Sequence, residues 1–178
     1  MDIQHVLFSP KGRIGPRTFL RGFILLTGVF ILVQVASTFL APGIGVAAYA
    51  MIFPYVCVFS KRLHDAGQSG WLYPLFLLAY VVIGSVAGMF LMPFLSPEAY
   101  QMNLEFQQAL QGEGLNSAFS SMTEQADELS RKSALTTLAS FLVTSAILGF
   151  AGAKLPSDPD SNRYGPPEGR NGISKTFS

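Results

Sequence analysis

The residues best suited to chemistry lie in three short polar segments, each next to a long apolar stretch. The middle segment contains Arg62, His64 and Asp65 within four positions, so a guanidinium, an imidazole and a carboxylate occur together. Histidine titrates near neutral pH, and arginine is the planar donor that suits phosphate and carboxylate groups. This combination could bind an anion, transfer a proton, or serve only to join two helices.

The candidate site comprises eight side chains: Arg13, Arg17, Arg62, His64, Asp65, Asn162, Arg163 and Tyr164. In one hypothesis the arginines converge on an anion such as a lipid headgroup, because the inner leaflet of a membrane is anionic. In a second, His64 and Asp65 act as acid and base, although no serine or cysteine nucleophile signature accompanies them. In a third, Asp65 pairs with a neighbouring arginine and the loop holds two helices together.

Seven residues are predicted to be structural: Gly12, Gly15, Gly67, Gly70, Trp71, Gly84 and Gly88. Gly67 and Gly70 permit a positive φ and a tight return of the chain after Asp65. The amphipathic ring of Trp71 is favoured at a membrane interface. Gly84 and Gly88 form a GxxxG pattern, which favours close helix packing either within the bundle or in a dimer.

No pattern in the sequence predicts a metal or cofactor site. The chain has only two histidines, His5 and His64, and one cysteine, Cys57, whereas zinc sites need several such ligands at close spacing. No glycine-rich phosphate loop is present. The net charge of +1 gives no general attraction to nucleic acid. We therefore expect no metal, no cofactor and no nucleic acid partner.

Long apolar stretches must position the three polar segments. Hydrophobic residues make up 49% of the chain and charged residues 13%, against ~25% charged in typical soluble domains. A membrane span needs ~20 apolar helical residues, and four stretches qualify, at about 19–41, 44–60, 71–95 and 135–153. Pro54 is expected to kink the second. In lipid, a helix pairs its own backbone N–H and C=O groups, whereas an open strand leaves them unpaired. The sequence therefore predicts an all-α integral membrane protein with a four-helix transmembrane bundle.

The distribution of basic residues predicts the orientation of this bundle. Ten of the twelve lysine and arginine residues fall before the first stretch or at its start, in the loop at 61–70, or after the fourth stretch. Segments rich in lysine and arginine stay in the cytoplasm, so both termini are predicted to be cytoplasmic. A cleaved signal peptide is disfavoured because the first apolar run is too long.

The segment at 96–133 is predicted to lie outside the cytoplasm as an amphipathic helical hairpin. Ser96, Pro97 and Glu98 suit the start of a helix, and Ser121 with Glu124 suits a capping box near a second start. The hairpin would cap the bundle or rest on the membrane surface, or offer a face to a partner. These assignments divide the chain into a four-span domain at 1–167 and a flexible cytoplasmic tail at 168–178.

The three polar segments resemble the signature motifs of a bacterial inner-membrane family known as domain of unknown function 805. The shared motifs are glycine-arginine-isoleucine at 12–14, arginine-leucine-histidine-aspartate through serine-glycine-tryptophan at 62–71, and asparagine-x-tyrosine-glycine at 162–165. The resemblance covers about 8–167. This chain departs from the pattern at Pro16 and Gln68 and in a longer segment between the last two spans. The resemblance implies an inner-membrane protein and names no activity.

These features predict an uncharacterised multi-pass protein of the bacterial inner (plasma) membrane without enzymatic activity. It would scaffold a partner or sense an anionic ligand or lipid; the alternative is a small membrane enzyme or flippase acting on lipid headgroups. An ion-coupled carrier is disfavoured because no ionisable residue lies deep within a span. The expected partner is the lipid bilayer, while anionic headgroups, a second copy and another membrane protein stay open.

Overall fold

The computed structural model describes residues 2–40, 42–112 and 114–169. These residues form eight α-helices: α1 (Ile3–Phe8), α2 (Pro16–Phe39), α3 (Ala47–Ala50), α4 (Ile52–Asp65), α5 (Tyr73–Leu95), α6 (Pro97–Gly112), α7 (Leu115–Glu124) and α8 (Ala126–Lys154). Short 3-10 turns cover Pro42–Val46 and Gly70–Leu72. The described ranges contain no strand, which confirms the all-α prediction for them.

Four helical segments are long and apolar enough to cross a membrane: Pro16–Phe39, Gly43–Asp65, Gly70–Leu95 and Ala126–Lys154. They match the predicted number of spans and indicate a multi-pass membrane protein. The helices extend beyond the apolar stretches. In particular, α4 continues to Asp65, through half of the region expected to be a loop. It can do so because the polar side chains of its last turn are bonded to other parts of the chain.

The second candidate span is not one continuous helix. It begins with the 3-10 turn, continues as α3, and is interrupted at Met51 before α4 begins. Pro54 is the third residue of α4, and in an unbroken helix its ring would clash with the carbonyl group of Ala50. The kink expected at Pro54 therefore takes the form of a break three residues earlier. Ala41, the predicted end of the first span, lies outside the described residues.

Small residues allow α5 to approach α8 closely. A Cβ atom added at Gly84 would lie 3.6 Å from Thr144 Oγ1, and one added at Gly88 would lie 3.7 Å from Ser140 Oγ. Without a hydrophobic driving force between helices in lipid, such close contact is a main source of helix association. The GxxxG pattern therefore faces a helix of the same chain.

Aromatic rings from α2 pack into α8 and α4. Phe19 is fully buried, and a Cβ atom at Gly152 of α8 would lie 2.5 Å from its Cζ atom. Gly149 likewise leaves room for Phe23, with a distance of 2.8 Å from the added Cβ atom to Cε1. Phe59 of α4 meets both rings edge-on, at centroid distances of 5.2 and 5.6 Å. This aromatic contact forms the core next to the end of the bundle where α2 begins.

The segment between α5 and α8 is largely helical. Helix α6 begins at Pro97, as its sequence predicted. Helix α7 begins at Leu115, whereas the sequence predicted a start near Ser121. Gly114 has φ +89°, a left-handed conformation that ends the connection after α6, so α7 begins at the next residue and the predicted capping box lies inside the helix. Phe119 of α7 contacts Phe106 of α6 edge-on, with 5.9 Å between ring centroids.

Candidate functional site

The three polar segments meet at one end of the bundle, where α2 begins and where α4 and α8 end. We call this the polar end. The backbone amide of Asp158 donates to the carbonyl oxygen of Asp65 over 2.8 Å, which joins the segment after α8 to the end of α4. The amide of Ile14 donates to the carbonyl oxygen of Lys61 over 3.4 Å. Segments far apart in the sequence thus form one compact structure.

Asp65 lies between two arginines at the centre of the polar end. Its Oδ1 atom accepts from Nε and Nη2 of Arg13 at 3.2 and 3.1 Å, and its Oδ2 atom accepts from Nη1 of Arg62 at 2.5 Å. The side chains of both arginines are 0% exposed and that of Asp65 is 3% exposed. We call these three residues the buried triad. Its two cations and one anion leave it with a formal charge of +1.

Arg13 also holds the segment that follows α8. Its Nη1 atom donates to the carbonyl oxygens of Asp160 and Gly165 at 2.7 and 3.2 Å. Its Nη2 atom donates to the carbonyl oxygen of Asp158 at 2.5 Å and reaches that of Asp65 at 3.3 Å. A guanidinium has five N–H groups, and each of those of Arg13 has an acceptor within the chain.

Arg62 caps the last turn of α8. Nε donates to the carbonyl oxygen of Gly152 at 3.0 Å, and Nη2 donates to those of Ala153, at 3.3 Å, and Leu155. Nη1 also donates to the hydroxyl of Ser157 at 3.0 Å. The last carbonyl groups of a helix have no partner within the helix and carry its negative dipole end, so a buried cation is well placed there. Arg62, like Arg13, has no N–H group left for an external anion.

His64 is held by backbone and ring contacts. Its Nδ1 atom lies 3.1 Å from the carbonyl oxygen of Gly12, and because a carbonyl oxygen only accepts, Nδ1 carries the proton in this bond. The imidazole stacks on the ring of Tyr164, with 3.8 Å between centroids and 9° between planes. The guanidinium carbon of Arg163 lies 4.7 Å from the centroid of the same tyrosine ring. A Cβ atom at Gly70 would lie 2.9 Å from His64 Nε2, so this position needs a glycine.

Asn162 joins the third segment to the second. Its side-chain amide donates to the carbonyl oxygen of His64 and to Oδ2 of Asp158, both at 3.1 Å. Its Oδ1 atom accepts from the backbone amide of Tyr164 at 3.0 Å. Asp158 also accepts from the backbone amide of Asp160, and this bond, followed by the one from Asn162, lowers the pKa of the Asp158 carboxyl below its ordinary value.

Gly67 ends α4 in the geometry that its sequence position suggested. It has φ +72°, its amide donates to the carbonyl oxygen of His64, and the amide of Gln68 donates to that of Leu63. This is the Schellman motif, which requires a left-handed residue after the helix. It directs the chain into the turn at Gly70–Leu72, where the side chain of Trp71 is 90% exposed.

Two further residues of the polar end were not singled out from the sequence. Glu168 accepts from the backbone amide of Gly15 and from the hydroxyl of Thr18, both at 2.6 Å, and so caps α2. The sequence indicated that α2 needs a cap from elsewhere in the chain, because Gly15 and Pro16 at its start have no side chain that could accept from the first backbone amides. The sequence predicts a flexible tail that begins at Glu168, and residues 170–178 of that tail lie outside the described residues.

Lys61 is the second residue that sequence reasoning passed over. It is 0% exposed, and its Nζ atom donates to the carbonyl oxygen of His5 at the end of α1. Its position next to Arg62, in the last turns of an otherwise apolar helix, was the only signal. Among the described residues no group of three or more His, Cys, Asp or Glu side chains could hold a metal ion.

The structure thus brings seven of the eight predicted site residues together. Arg13, Arg62 and Asp65 form the buried triad, and His64, Asn162 and Tyr164 pack beside it, with Arg163 against Tyr164. Arg17 lies apart, on the exposed first turn of α2. Chemically, the triad is a closed ion-pair network that ties α2, α4 and α8 together.

Comparison with known proteins gives two findings. Residues 7–166 match the family described as "Protein of unknown function (DUF805)". The proteins named "Uncharacterized protein YiiR" from Escherichia coli K12 and from Escherichia coli O157:H7 are each 39% identical over 88 residues, which cover 47% of this chain and 59% of the relative. No solved structure matches the chain. The resemblance in the three polar segments is therefore confirmed, and the chain belongs to the DUF805 family.

Proposed function

We propose that this protein is a non-enzymatic scaffold of the bacterial inner (plasma) membrane that binds anionic lipid headgroups at its polar end. In this proposal both termini are cytoplasmic, and α6 and α7 form a helical hairpin on the other side. The support for this orientation is the positive-inside rule, since along the sequence ten of the twelve lysine and arginine residues precede the first predicted span or lie at its start, fall at 61–70, or follow the fourth span. A partner membrane protein or a second copy would dock on the same scaffold.

The observation that carries the proposal is the division of the cations into two sets. Arg13 and Arg62 have an internal acceptor for every N–H group. A second set at the polar end is exposed and forms no ion pair among the described residues; we call it the basic rim, and it comprises Lys11, Arg17, Arg21, Lys154 and Arg163. Within the described part of the polar end, only the basic rim has charge available for an external anion.

The position of the basic rim suits a membrane surface. Arg17 and Arg21 lie in the first two turns of α2, and Lys154 is the last residue of α8. The exposed Trp71 belongs to the same end, and tryptophan is favoured at the level of lipid headgroups. Basic residues beside an anionic leaflet each contribute about 1 kcal/mol to attraction. The buried triad would hold these residues in fixed positions relative to the bilayer.

An enzyme or flippase acting on headgroups would need His64 or Asp65 to reach its substrate. Both carboxylate oxygens of Asp65 accept from arginines, and the side chain is 3% exposed. Nδ1 of His64 donates to a backbone carbonyl, and one face of the ring is covered by Tyr164. These contacts favour the scaffold over the catalytic alternative.

Removing charge from the basic rim is expected to weaken selectivity for anionic lipid. In nanodiscs, the Arg17→Gln/Arg21→Gln variant should prefer spin-labelled phosphatidylglycerol over phosphatidylcholine roughly 30-fold less than the unmodified protein, since two charges contribute about 2 kcal/mol. Lys132→Gln is the matched control, because Lys132 is paired with Glu98 and Glu128 at 3.0 and 2.6 Å and lies in the first turns of α8, at the opposite end. Equal losses in both variants would contradict a role for the basic rim. Headgroup turnover that His64→Gln abolishes would favour the enzyme.

The proposed orientation has a separate test. A fluorescent protein fused after Ser178 should fluoresce, whereas alkaline phosphatase at the same place should be inactive. Alkaline phosphatase inserted between α6 and α7 should be active, because that connection would face the periplasm. Active phosphatase at the carboxyl end would exclude the orientation proposed here.

A further inference from the structure

Two neighbouring cavities that share part of their walls lie between the long helices, away from the polar end's ion pairs. The first, which we call the aromatic chamber, has a volume of about 410 Å³ and is bordered by α2, α3, α4, α5 and α8. The second, the hydroxyl chamber, has about 660 Å³ and lies between α2, α5, α6 and α8. Phe30, Gln34, Tyr80 and Phe141 border both. Phe30 stacks on Phe141 with 4.5 Å between centroids, so this ring pair lies between the two spaces.

The walls of the two chambers differ in chemistry. Of the 17 described residues that line the aromatic chamber, nine are phenylalanine or tyrosine. Of the 19 described residues that line the hydroxyl chamber, eleven carry a hydroxyl or amide group. Among these lining residues there is no Lys, Arg, Asp or Glu in either chamber. Apolar cavities with a few converging polar groups are the usual form of a small-molecule site.

The hydroxyl chamber has polar groups that lack partners. Thr144 is 0% exposed and Ser140 is 7% exposed, both line this chamber, and neither hydroxyl oxygen has a hydrogen-bond partner among the described residues. Buried polar groups are otherwise almost always hydrogen-bonded, because an unpaired one loses its hydration without compensation. These hydroxyls therefore point to a bound molecule that supplies the missing partners.

From this geometry we infer that the two chambers bind an uncharged amphipathic lipid. Its apolar chain or ring occupies the aromatic chamber, and its neutral head, bearing hydroxyl or carbonyl groups, bonds to Thr144 and Ser140 in the hydroxyl chamber. A charged headgroup is excluded because no opposite charge in the walls would compensate its desolvation. This site is independent of the basic rim, which is proposed to bind anionic headgroups at the polar end.

Blocking the aromatic chamber gives the first test. Ala48 of α3 lines this chamber, whereas Ala47, its neighbour in the same short helix, does not. The purified full-length protein in neutral detergent would be labelled with a photoactivatable diacylglycerol. We expect Ala48→Trp to lower labelling at least about tenfold and Ala47→Trp to leave it unchanged, because only the first ring occupies the cavity. Equal labelling of the two variants would overturn the inference.

Removing a hydroxyl without changing the volume gives the second test. Thr144→Val should lower the affinity for the diacylglycerol about tenfold, the effect of one lost hydrogen bond in a dry site. Thr123→Val is the control, since the hydroxyl of Thr123 donates to the carbonyl oxygen of Phe119 within α7 and Thr123 lines neither chamber. If Thr144→Val only raises the unfolding temperature and leaves binding unchanged, the hydroxyl is a packing feature and the site is wrong. This near-isosteric variant keeps the inference testable even if Ala48→Trp does not fold.

Competition distinguishes the sources of a neutral lipid. Unlabelled dioleoylglycerol and a short-chain prenyl quinone are both uncharged and bear hydroxyl or carbonyl groups, and displacement by either supports the site while identifying its class. Phosphatidylglycerol should not compete. Displacement by phosphatidylglycerol alone, or by none of the three, would contradict an uncharged ligand. The basic-rim variant Arg17→Gln/Arg21→Gln should retain full labelling, so failure of one proposal leaves the other distinguishable.

Discussion

Replacing Asp65 by asparagine is expected to reduce the amount of folded protein sharply. The change keeps the volume of the side chain but removes the negative charge that Arg13 and Arg62 share in a site with no exposure of either guanidinium. Leaving a buried charge without its partner typically costs about 3–5 kcal/mol, a large fraction of the stability of a domain of this size. Folded protein is measured as the monodisperse fraction after extraction in a mild detergent, together with the midpoint of thermal unfolding.

Glu98→Gln is the matched control for Asp65→Asn. It also removes a carboxylate from an ion pair, with Lys132, but the side chain of Glu98 is 74% exposed. Exposed pairs contribute little because solvent screens them, so the folded fraction should hardly change. Normal abundance of Asp65→Asn together with an altered cellular phenotype would contradict the structural role of the buried triad. That result would indicate that Asp65 takes part in chemistry.

The second large loss of stability is expected from a substitution at Gly152, where α8 approaches α2. In Gly152→Ala the new methyl group would lie 2.5 Å from Cζ and 2.7 Å from Cε1 of Phe19, whose ring is fully buried and cannot move aside. Overpacking of this kind costs about 1–3 kcal/mol. The shift would also disturb the bond from Arg62 Nε to the Gly152 carbonyl oxygen. Thermal unfolding and denaturation in mixed detergent micelles both measure the loss.

Gly28→Ala in α2 should change the stability in the opposite direction, by raising it. A Cβ atom there meets nothing within 4 Å, so only the greater helix propensity of alanine acts, and it should stabilise the helix by about 0.5–1 kcal/mol. Phe19→Leu combined with Gly152→Ala should recover part of the stability lost in the single variant, because the two residues are in contact. If Gly152→Ala and Gly28→Ala change the stability in the same direction and by the same amount, the close packing of Phe19 against α8 is not present in the membrane.

The architecture was predictable to the extent that it depends on local composition. A stretch of apolar residues long enough to cross a bilayer needs no knowledge of its neighbours, so all four candidate spans could be recognised from length and hydropathy. The start of α6 at Pro97 follows equally from local chain chemistry. The predicted start of α7, near Ser121, is wrong because two local signals compete there. The capping box at Ser121 favours the later start, but the helix begins directly after Gly114. The cytoplasmic orientation of the termini remains a prediction from charge.

The residue types of the site were also predictable, but their roles were not. Arginine beside histidine and aspartate is compatible with anion binding, catalysis or an internal ion pair, and the sequence cannot count the acceptors around a guanidinium. Arg13 reaches an aspartate 52 positions away, and Glu168 accepts from Gly15, the residue before α2, 153 positions earlier. Such contacts depend on which helix ends meet in space.

The sequence by itself determined the membrane class, the family and the candidate residues of this protein, because each of these depends on a local run of residue types. The tertiary structure alone decided which cations are buried with a partner and which remain exposed, and where unpartnered hydroxyls face a cavity. The physical reason is that hydrogen-bond saturation and desolvation are properties of the surroundings of a group, and those surroundings exist only once the helices have packed.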